Sequence, residues 1–254
     1  MPSFAQPDIE AAVDSDFQPL ILSYEPVIQF SSQKILLRSS MTIQSAEFGK
    51  LRQEQYRYVA RRTVQSEQVF RRQLHKVLCA MPELMKTHPN LQAVTIPVYN
   101  RMLKKGNLAS TIFEELARHP GTSAGNLCVE VSADLLFEEL EPMAAELQRV
   151  KDMGVFVAIW ELGDPYCPLM RLSQVPYDYL ILDSYPVSLL ETGEEDSVSQ
   201  FRALCQFLHG NELARIIAPG LSDSNLAQQA EQLGCDGYSL GKQAAPPAEE
   251  EGDA

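Results

Sequence analysis

Short apolar runs alternate with amphipathic stretches along most of the chain. Three runs predict buried strands, because they are rich in β-branched residues and bounded by polar or turn residues: 155–160, 179–183 and 214–220. Stretches with helical spacing alternate with these runs, and Gly154, Gly210 and Gly234 stand where three of the helices are expected to end. The pattern therefore predicts repeated strand–helix units.

Further apolar runs extend this alternation over the rest of the chain. The runs at 91–98 and 126–132 flank another helical stretch, and 20–28, 34–43 and 235–240 add three more strands. Eight strands alternating with helices over about 240 residues favour an α/β fold, a single TIM-type (β/α)8 barrel. An open Rossmann-like sheet is the second choice.

The two ends of the chain differ from this pattern. Residues 243–254 combine a Pro pair with four acids and no large apolar group, so they are expected to form a disordered acidic tail. Residues 1–16 are expected to be a lead-in to a barrel domain at 17–242. The lead-in lacks the features of a signal peptide, and no apolar run approaches the roughly 20 residues of a membrane span. We therefore expect a cytoplasmic protein without membrane contact.

Charge and cysteine content narrow the function further. The 254 residues include 21 basic and 34 acidic ones, a formal net charge of −13, which argues against binding to nucleic acid. The five cysteines are widely spaced and form no C-x-x-C pair, so neither a disulfide framework nor a zinc site is indicated. The four histidines fall in or beside helical stretches and are expected at the surface. No cofactor is predicted.

The segment 50–76 departs from the acidic balance. It holds eight basic residues against two acids, a local charge of +6, which leaves −19 for the rest of the chain. One interpretation is a pair of amphipathic helices with solvated basic faces. The other is a docking face for an acidic protein partner or a second copy of the chain, with Arg57, Arg61 and Arg72 as its exposed residues.

In a (β/α)8 barrel, reactive groups project from the carboxyl ends of the strands. Only two residues at the predicted strand ends are ionisable, Glu161 and Asp183. A hydrolytic two-metal site needs several converging oxygen ligands with open positions on the metal. Two carboxylates are too few, so the sequence predicts no metal site at the barrel mouth.

The order of segments carries a family resemblance. The run G-V-F-V-A-I-W-E-L-G-D-P-Y continues to Y-D-Y-L-I-L-D and resembles G-V-x-x-A-L-D-D-F-G-T-G-Y followed by x-D-Y-L-K-I-D. L-C-V-E-V-S-A-D is similar to L-x-L-E-I-T-E-S, and R-I-I-A-P-G-L to V-x-A-E-G-V-E. From Phe17 to Lys242 the chain resembles the EAL domain, the family of cyclic di-GMP phosphodiesterases with a modified (β/α)8 barrel.

The resemblance also implies that most catalytic residues are missing. Carried over by position, the family's metal-binding Asn, the Glu of T-E-S, the first Asp of D-D-F-G, the catalytic Lys and the Glu of A-E-G fall at Thr95, Ala133, Trp160, Ile181 and Pro219. Glu161 keeps the charge of the second Asp, and Asp183 is retained. The Glu of the E-A-L signature falls at Lys34, Arg38 or Ser39, according to the alignment chosen. None of these three has a carboxylate.

The resemblance therefore implies a protein that has lost the family's activity. Our first hypothesis is a catalytically inactive EAL-like domain that binds a protein partner, or a second copy of itself, in bacterial cyclic di-GMP-related signalling or motility control. The alternative is a receptor that binds cyclic di-GMP without cleaving it, with Trp160, Tyr166 and Arg38 near the nucleotide. A residual phosphodiesterase is the third.

Overall fold

The computed structural model describes residues 20–45, 49–53, 66–164, 166–210 and 214–241. The predicted lead-in, the predicted acidic tail, Arg57 and Arg61 lie outside the described residues. The eight predicted strands all form, and a further short strand follows the second of them. The strands are β1 (Leu20–Gln29), β2 (Ile35–Ser45), β3 (Gly49–Leu51), β4 (Leu91–Val98), β5 (Leu127–Ser132), β6 (Phe156–Leu162), β7 (Tyr179–Leu182), β8 (Arg215–Leu221) and β9 (Gly237–Leu240).

Eight of these strands close into a barrel. The order of hydrogen-bonded neighbours runs β1-β9-β8-β7-β6-β5-β4-β2, and pairing of β1 with β2 completes the ring. The short strand β3 pairs only with the far end of β2, where Gly49 lies opposite Ser45. The α/β barrel prediction is thus confirmed, and the open Rossmann-like alternative is wrong.

The first strand runs against its neighbours. β1 is antiparallel to β2, with Glu25 opposite Arg38, and antiparallel to β9, with Ile28 opposite Tyr238. Every other neighbouring pair around the ring is parallel. The beginning of β1 therefore lies at the same end of the barrel as the carboxyl ends of the parallel strands, which is the end that carries reactive groups in such folds.

Helices cover the outside of the barrel. Their apolar residues recur at three- and four-residue spacing and turn toward the strands, as Phe70, Leu74, Val77 and Leu78 do on the first helix. The helices are α1 (Ser66–Thr87), α2 (Asn100–Lys105), α3 (Leu108–Arg118), α4 (Leu140–Asp152), α5 (Ser184–Thr192), α6 (Glu195–Leu208) and α7 (Ser224–Gln232), with 3-10 helices at Ala124–Asn126, Ala133–Phe137 and Leu169–Gln174.

None of the helices in the part of the chain that the structure describes combines the length and apolar character that a membrane crossing requires.

The barrel interior is filled by side chains. Because residues alternate between the two faces of a strand, one residue in two points inward. The inward residues form an apolar cluster of their own, separate from the larger core between strands and helices. Its buried members are Val27, Leu36, Ala93, Cys128, Ala158, Tyr179, Ile181 and Ile217, with Phe156 and Trp160 packed against them.

Candidate functional site

The alternation that fills the interior also selects the residues at the barrel mouth. Two positions beyond the buried interior residues Leu36, Ala93, Cys128 and Ala158, the same face of each strand presents the next residue toward the open end. These residues are Arg38 on β2, Thr95 on β4, Glu130 on β5 and Trp160 on β6. The four strands are consecutive neighbours in the ring, so their side chains meet across the mouth.

Arg38 and Glu130 form a two-point ion pair there. Arg38 Nε lies 2.7 Å from Glu130 Oε1, and Arg38 Nη2 lies 2.9 Å from Glu130 Oε2. Thr95 Oγ1 donates a third hydrogen bond to Glu130 Oε1 at 2.6 Å. The Glu130 side chain is only 6% exposed, so its charge is compensated by the protein rather than by water. The guanidinium carbon of Arg38 also lies 5.9 Å from the centre of the Trp160 ring.

The remaining strands contribute little ionisable chemistry to the mouth. Ile181 is 2% exposed and belongs to the apolar interior cluster, where the resemblance implies a Lys in active relatives. Pro219 is half-buried on β8. On the other side of the ring, Ser239 Oγ donates to Glu25 Oε1 at 2.5 Å. The Glu25 carboxylate is thereby tied to β9.

A cleft of about 260 Å³ opens beside this network, lined by Ala133, Asp134, Phe137, Glu161, Asp164, Cys167 and Asp183. It contains four acidic residues, two more than the strand ends indicated. Glu161 accepts a hydrogen bond from Ser132 Oγ at 2.7 Å, and Asp164 accepts one from the Tyr166 amide at 2.9 Å. Asp183 caps α5 by accepting from the Tyr185 amide at 3.0 Å.

These carboxylates do not converge on one point. Among the described residues, no three of the acidic side chains in the cleft bring oxygen atoms within 4.8 Å of one another. The backbone at Glu161 is also held at a φ of +63°, in the left-handed region that favours glycine. Two residues later Gly163 has a φ of +98°, and a methyl group there would overlap Pro186 Cγ. Both the backbone angle and the lack of space therefore require glycine at this position of the D-D-F-G-like segment.

The structure separates the three candidate positions for the signature Glu. Arg38 is the one whose side chain enters the mouth, directly opposite Thr95 in the strand register. Ser39 points to the other face of β2, where it donates to the Thr95 carbonyl at 2.5 Å. Lys34 is exposed in the turn before β2. Of the three residues, Arg38 alone brings a side chain into the mouth network, and that side chain is a cation.

Glu130 is the functional residue that the sequence analysis missed. Ala133, at which the resemblance puts the family's Glu, is buried and begins a 3-10 helix beside the cleft. Glu130 lies within an apolar strand and was treated as part of it. Two signals were available: Glu130 matches the first Glu of L-x-L-E-I-T-E-S, and it shares a strand face with Cys128, which points into the barrel.

The basic segment is only partly described. Arg71 on α1 pairs with Glu114 at 3.0 Å, and both Arg71 and Lys105 approach Glu67, at 3.4 and 3.7 Å. Arg72 is half-buried rather than fully exposed, which differs from the exposed position that the helical spacing indicated. The described part of the segment thus has the character of a salt-bridged helix surface.

Comparison with known proteins identifies the fold and the family together. A family model described as the EAL domain matches residues 9–242. The chain belongs to the EAL domain family. Two curated relatives are uncharacterized proteins: one from Mycobacterium tuberculosis is 27% identical over 126 residues, and one from Azorhizobium caulinodans is 24% identical over 140 residues. The matches cover 50% and 54% of this EAL chain but only 20% and 18% of those proteins.

Solved EAL structures share the architecture at low sequence identity. The PaMucR phosphodiesterase in complex with cyclic di-GMP superposes with a TM-score of 0.76 at 19% identity, covering 92% of this chain and 93% of that one. The FimX EAL domain from Pseudomonas aeruginosa, bound to cyclic di-GMP, gives 0.77 at 14% identity with 92% and 93% coverage. The EAL domain of Mycobacterium smegmatis DcpA gives 0.68 at 18% identity, covering 87% and 90%.

The mouth of this EAL domain does not fit the divalent metals that the family resemblance implies. Hard divalent ions need several oxygen ligands with room for water. Here the only carboxylate among the four residues of the mouth network, Glu130, accepts hydrogen bonds from Arg38 and Thr95 at both of its oxygens. Four positions to which the resemblance assigns the family's site residues lack a carboxylate, namely Thr95, Ala133, Trp160 and Pro219, whereas Glu161 and Asp183 keep one. A metal ion would have to displace a permanently charged guanidinium from its ion pair.

Proposed function

We propose that this EAL domain is catalytically inactive and acts as a protein-binding regulatory module in bacterial cyclic di-GMP-related signalling or motility control. The observation that carries the proposal is the two-point ion pair between Arg38 and Glu130 at the barrel mouth, at 2.7 and 2.9 Å. A guanidinium occupies the electrostatic role that a metal ion would have beside this carboxylate.

The chemistry of hydrolysis supports the same proposal. Cleavage of a phosphodiester requires a nucleophilic water, a group to take its proton and positive charge beside the phosphate oxygens. Ile181 neither carries charge nor hydrogen-bonds, and it is buried in the apolar interior. The Trp160 indole offers one N–H donor and no metal ligand. Arg38 is the cation at the mouth, but its Nε and Nη2 donors are directed at Glu130 rather than at a phosphate.

The nucleotide-receptor alternative makes a different claim about the same mouth. Tyr166 is 85% exposed near the cleft, and an exposed aromatic ring can stack on a base. A receptor would need positive groups left for two phosphates, whereas the cleft is lined by four acidic residues. We therefore favour the partner-binding module over the receptor.

We expect cyclic di-GMP to produce no binding heat in calorimetric titration, with or without Mg²⁺, because the Arg38 guanidinium at the mouth is engaged by Glu130 and the neighbouring cleft is acidic. The measurement compares wild-type protein with a Trp160→Ala variant at the mouth and a Phe113→Ala variant on α3. Binding that Trp160→Ala abolishes and Phe113→Ala preserves would favour the receptor. Heat in all three proteins alike would indicate binding away from the mouth.

The partner-binding surface is the second part of the proposal. We place it on the basic segment 50–76, where Arg57, Arg61 and Arg72 were singled out; Arg57 and Arg61 lie outside the described residues. Complementary charge speeds encounter and selects partners more than it adds affinity. The chain carries −19 outside this segment, so an acidic protein or a second copy of the chain meets the requirement.

Reversal of two of these charges is expected to lower partner capture several-fold at low salt and to have little effect at high salt, because screening removes the same attraction. The variant is Arg57→Glu/Arg61→Glu, which leaves the half-buried Arg72 intact. The control, Lys86→Glu/Arg202→Glu, makes the same charge change at two exposed positions on α1 and α6. Quantitative pull-downs from the host lysate are compared after melting temperatures are matched. Equal losses in both variants would show that only net charge matters.

A further inference from the structure

Two helices on the outside of the barrel bring three metal-ligating side chains together. His75 and Cys79 lie one turn apart on α1, and His119 follows the end of α3, which packs beside α1. One ligand atom from each of the three lies within 4.8 Å of the other two. The cluster belongs to the outer helical layer and shares no residue with the barrel mouth or the cleft.

The separations within the cluster match those around a zinc ion. Cys79 Sγ lies 3.6 Å from His75 Nε2 and 3.6 Å from His119 Nε2. With zinc–sulfur and zinc–nitrogen bonds of about 2.3 and 2.0 Å at tetrahedral angles, the sulfur and nitrogen ligands stand about 3.5 Å apart. The cluster could therefore accept the ion with small side-chain movements.

Glu115 lies beside both imidazoles, on the side away from Cys79. His119 Nδ1 lies 2.8 Å from the Glu115 carbonyl oxygen, and His75 Nδ1 lies 3.5 Å from Glu115 Oε2. The backbone carbonyl can only accept, so His119 carries its proton on Nδ1 and directs the Nε2 lone pair toward Cys79. The longer His75 contact places that ring beside the Glu115 carboxylate. Glu115 is 4% exposed and also pairs with Arg118, so it is fixed in place.

We propose that His75, Cys79 and His119 bind a zinc ion, with Glu115 as the residue that positions the two imidazoles. Imidazole and thiolate donors select zinc over magnesium or calcium, which prefer oxygen ligands. Three protein ligands leave a fourth position for water or for a side chain from a partner. Binding replaces the Cys79 S–H proton, which is released to solvent, by the Sγ–zinc bond. The site ties α1 to α3 across the surface of the barrel.

This proposal departs from the expectation from sequence that no zinc site is present. That expectation rested on the lack of C-x-x-C pairs, and the histidines were expected to be isolated at the surface. The spacing of four between His75 and Cys79 puts both on one side of α1. The third ligand is 40 residues further along the chain from Cys79 and arrives only through packing of α3 on α1.

The test uses the full chain without an affinity tag. Co²⁺ serves as the spectroscopic probe, because a thiolate ligand gives a charge-transfer band in the near ultraviolet, and competition with a chromophoric chelator gives the affinity for Zn²⁺. We expect one equivalent of either ion to bind, with a Co²⁺–thiolate band. Cys79→Ser should abolish the band and weaken Zn²⁺ binding at least about tenfold. Cys167→Ser, which removes a half-buried thiol elsewhere, should leave both unchanged.

Several results would overturn the proposal: absence of the thiolate band in the wild-type protein, Zn²⁺ affinity unchanged in Cys79→Ser, or equal losses in Cys79→Ser and Cys167→Ser. The positioning role is tested with Glu115→Gln, which keeps a carbonyl oxygen but removes the charge. We expect a loss of Zn²⁺ affinity of about tenfold while the Co²⁺–thiolate band is retained. Unchanged affinity would contradict the role of the Glu115 side chain.

Discussion

Replacement of Arg38 by Met is expected to lower the free energy of unfolding by about 3 kcal/mol, the low end of the range for breaking a buried ion pair. The Arg38 and Glu130 side chains are 21% and 6% exposed. Without the guanidinium, the Glu130 carboxylate would remain buried and lose its counter-charge, while the hydrogen bond from Thr95 would stay in place. Methionine fills much of the volume of the arginine side chain. The lost unfolding free energy therefore reflects the missing positive charge rather than poorer packing.

Urea unfolding of three further variants makes this prediction specific. In Arg38→Met/Glu130→Gln both charges are removed, and we expect most of the stability to return, because a neutral amide is cheaper to bury than an unpaired carboxylate. Lys104→Met breaks the ion pair between Lys104 and Glu138, in which the two side chains are 48% and 41% exposed. We expect this variant to lose under about 1 kcal/mol of unfolding free energy. Glu130→Gln alone should be destabilising, because Arg38 then lacks its counter-charge. An Arg38→Met protein as stable as Lys104→Met would show that the mouth pair is effectively solvated.

The rate of cyclic di-GMP hydrolysis is expected to be indistinguishable from background with Mg²⁺ or Mn²⁺. A positioned acid or base contributes about 10² to 10⁴ in rate, and metal ions stabilise charge that develops in the transition state. Ile181 cannot act as an acid or base at its position. The Arg38–Glu130 pair opposes the binding of a metal ion beside Glu130. Because these contributions multiply, loss of several leaves no activity that a standard assay can detect.

Much of the barrel was predictable from sequence because each inner strand is a short apolar run between turn residues. Val155–Trp160 and Tyr179–Asp183, for example, correspond to β6 and β7 within one or two residues. The reversed direction of β1 was not predictable from its pattern, since alternation along Leu20–Gln29 is the same in both directions. The family resemblance alone implied a modified barrel. β3 was missed because three residues are too few to show a period.

The site was predictable where a residue that differs from the family motif lies at the end of a clearly patterned strand. Trp160 and Ile181 lie at the mouth and in the interior, as their positions in β6 and β7 require. The Arg38–Glu130 pair was not predictable, because its residues are 92 positions apart and meet only when the ring closes. The placement of Arg38 opposite Thr95 depends on the register between β2 and β4, which the pattern of a single strand does not contain.

The most direct test of the proposed loss of catalysis is chromatographic detection of linear dinucleotide after prolonged incubation of the purified protein with cyclic di-GMP and Mg²⁺ or Mn²⁺. The matched control is a Glu161→Ala/Asp183→Ala variant, which removes two carboxylates of the cleft and would leave a contaminating hydrolase untouched. We expect no product above buffer for the wild type, and no difference between the two proteins. Product formed by the wild type and abolished in the double variant would show that this EAL domain is an enzyme, and would contradict the account.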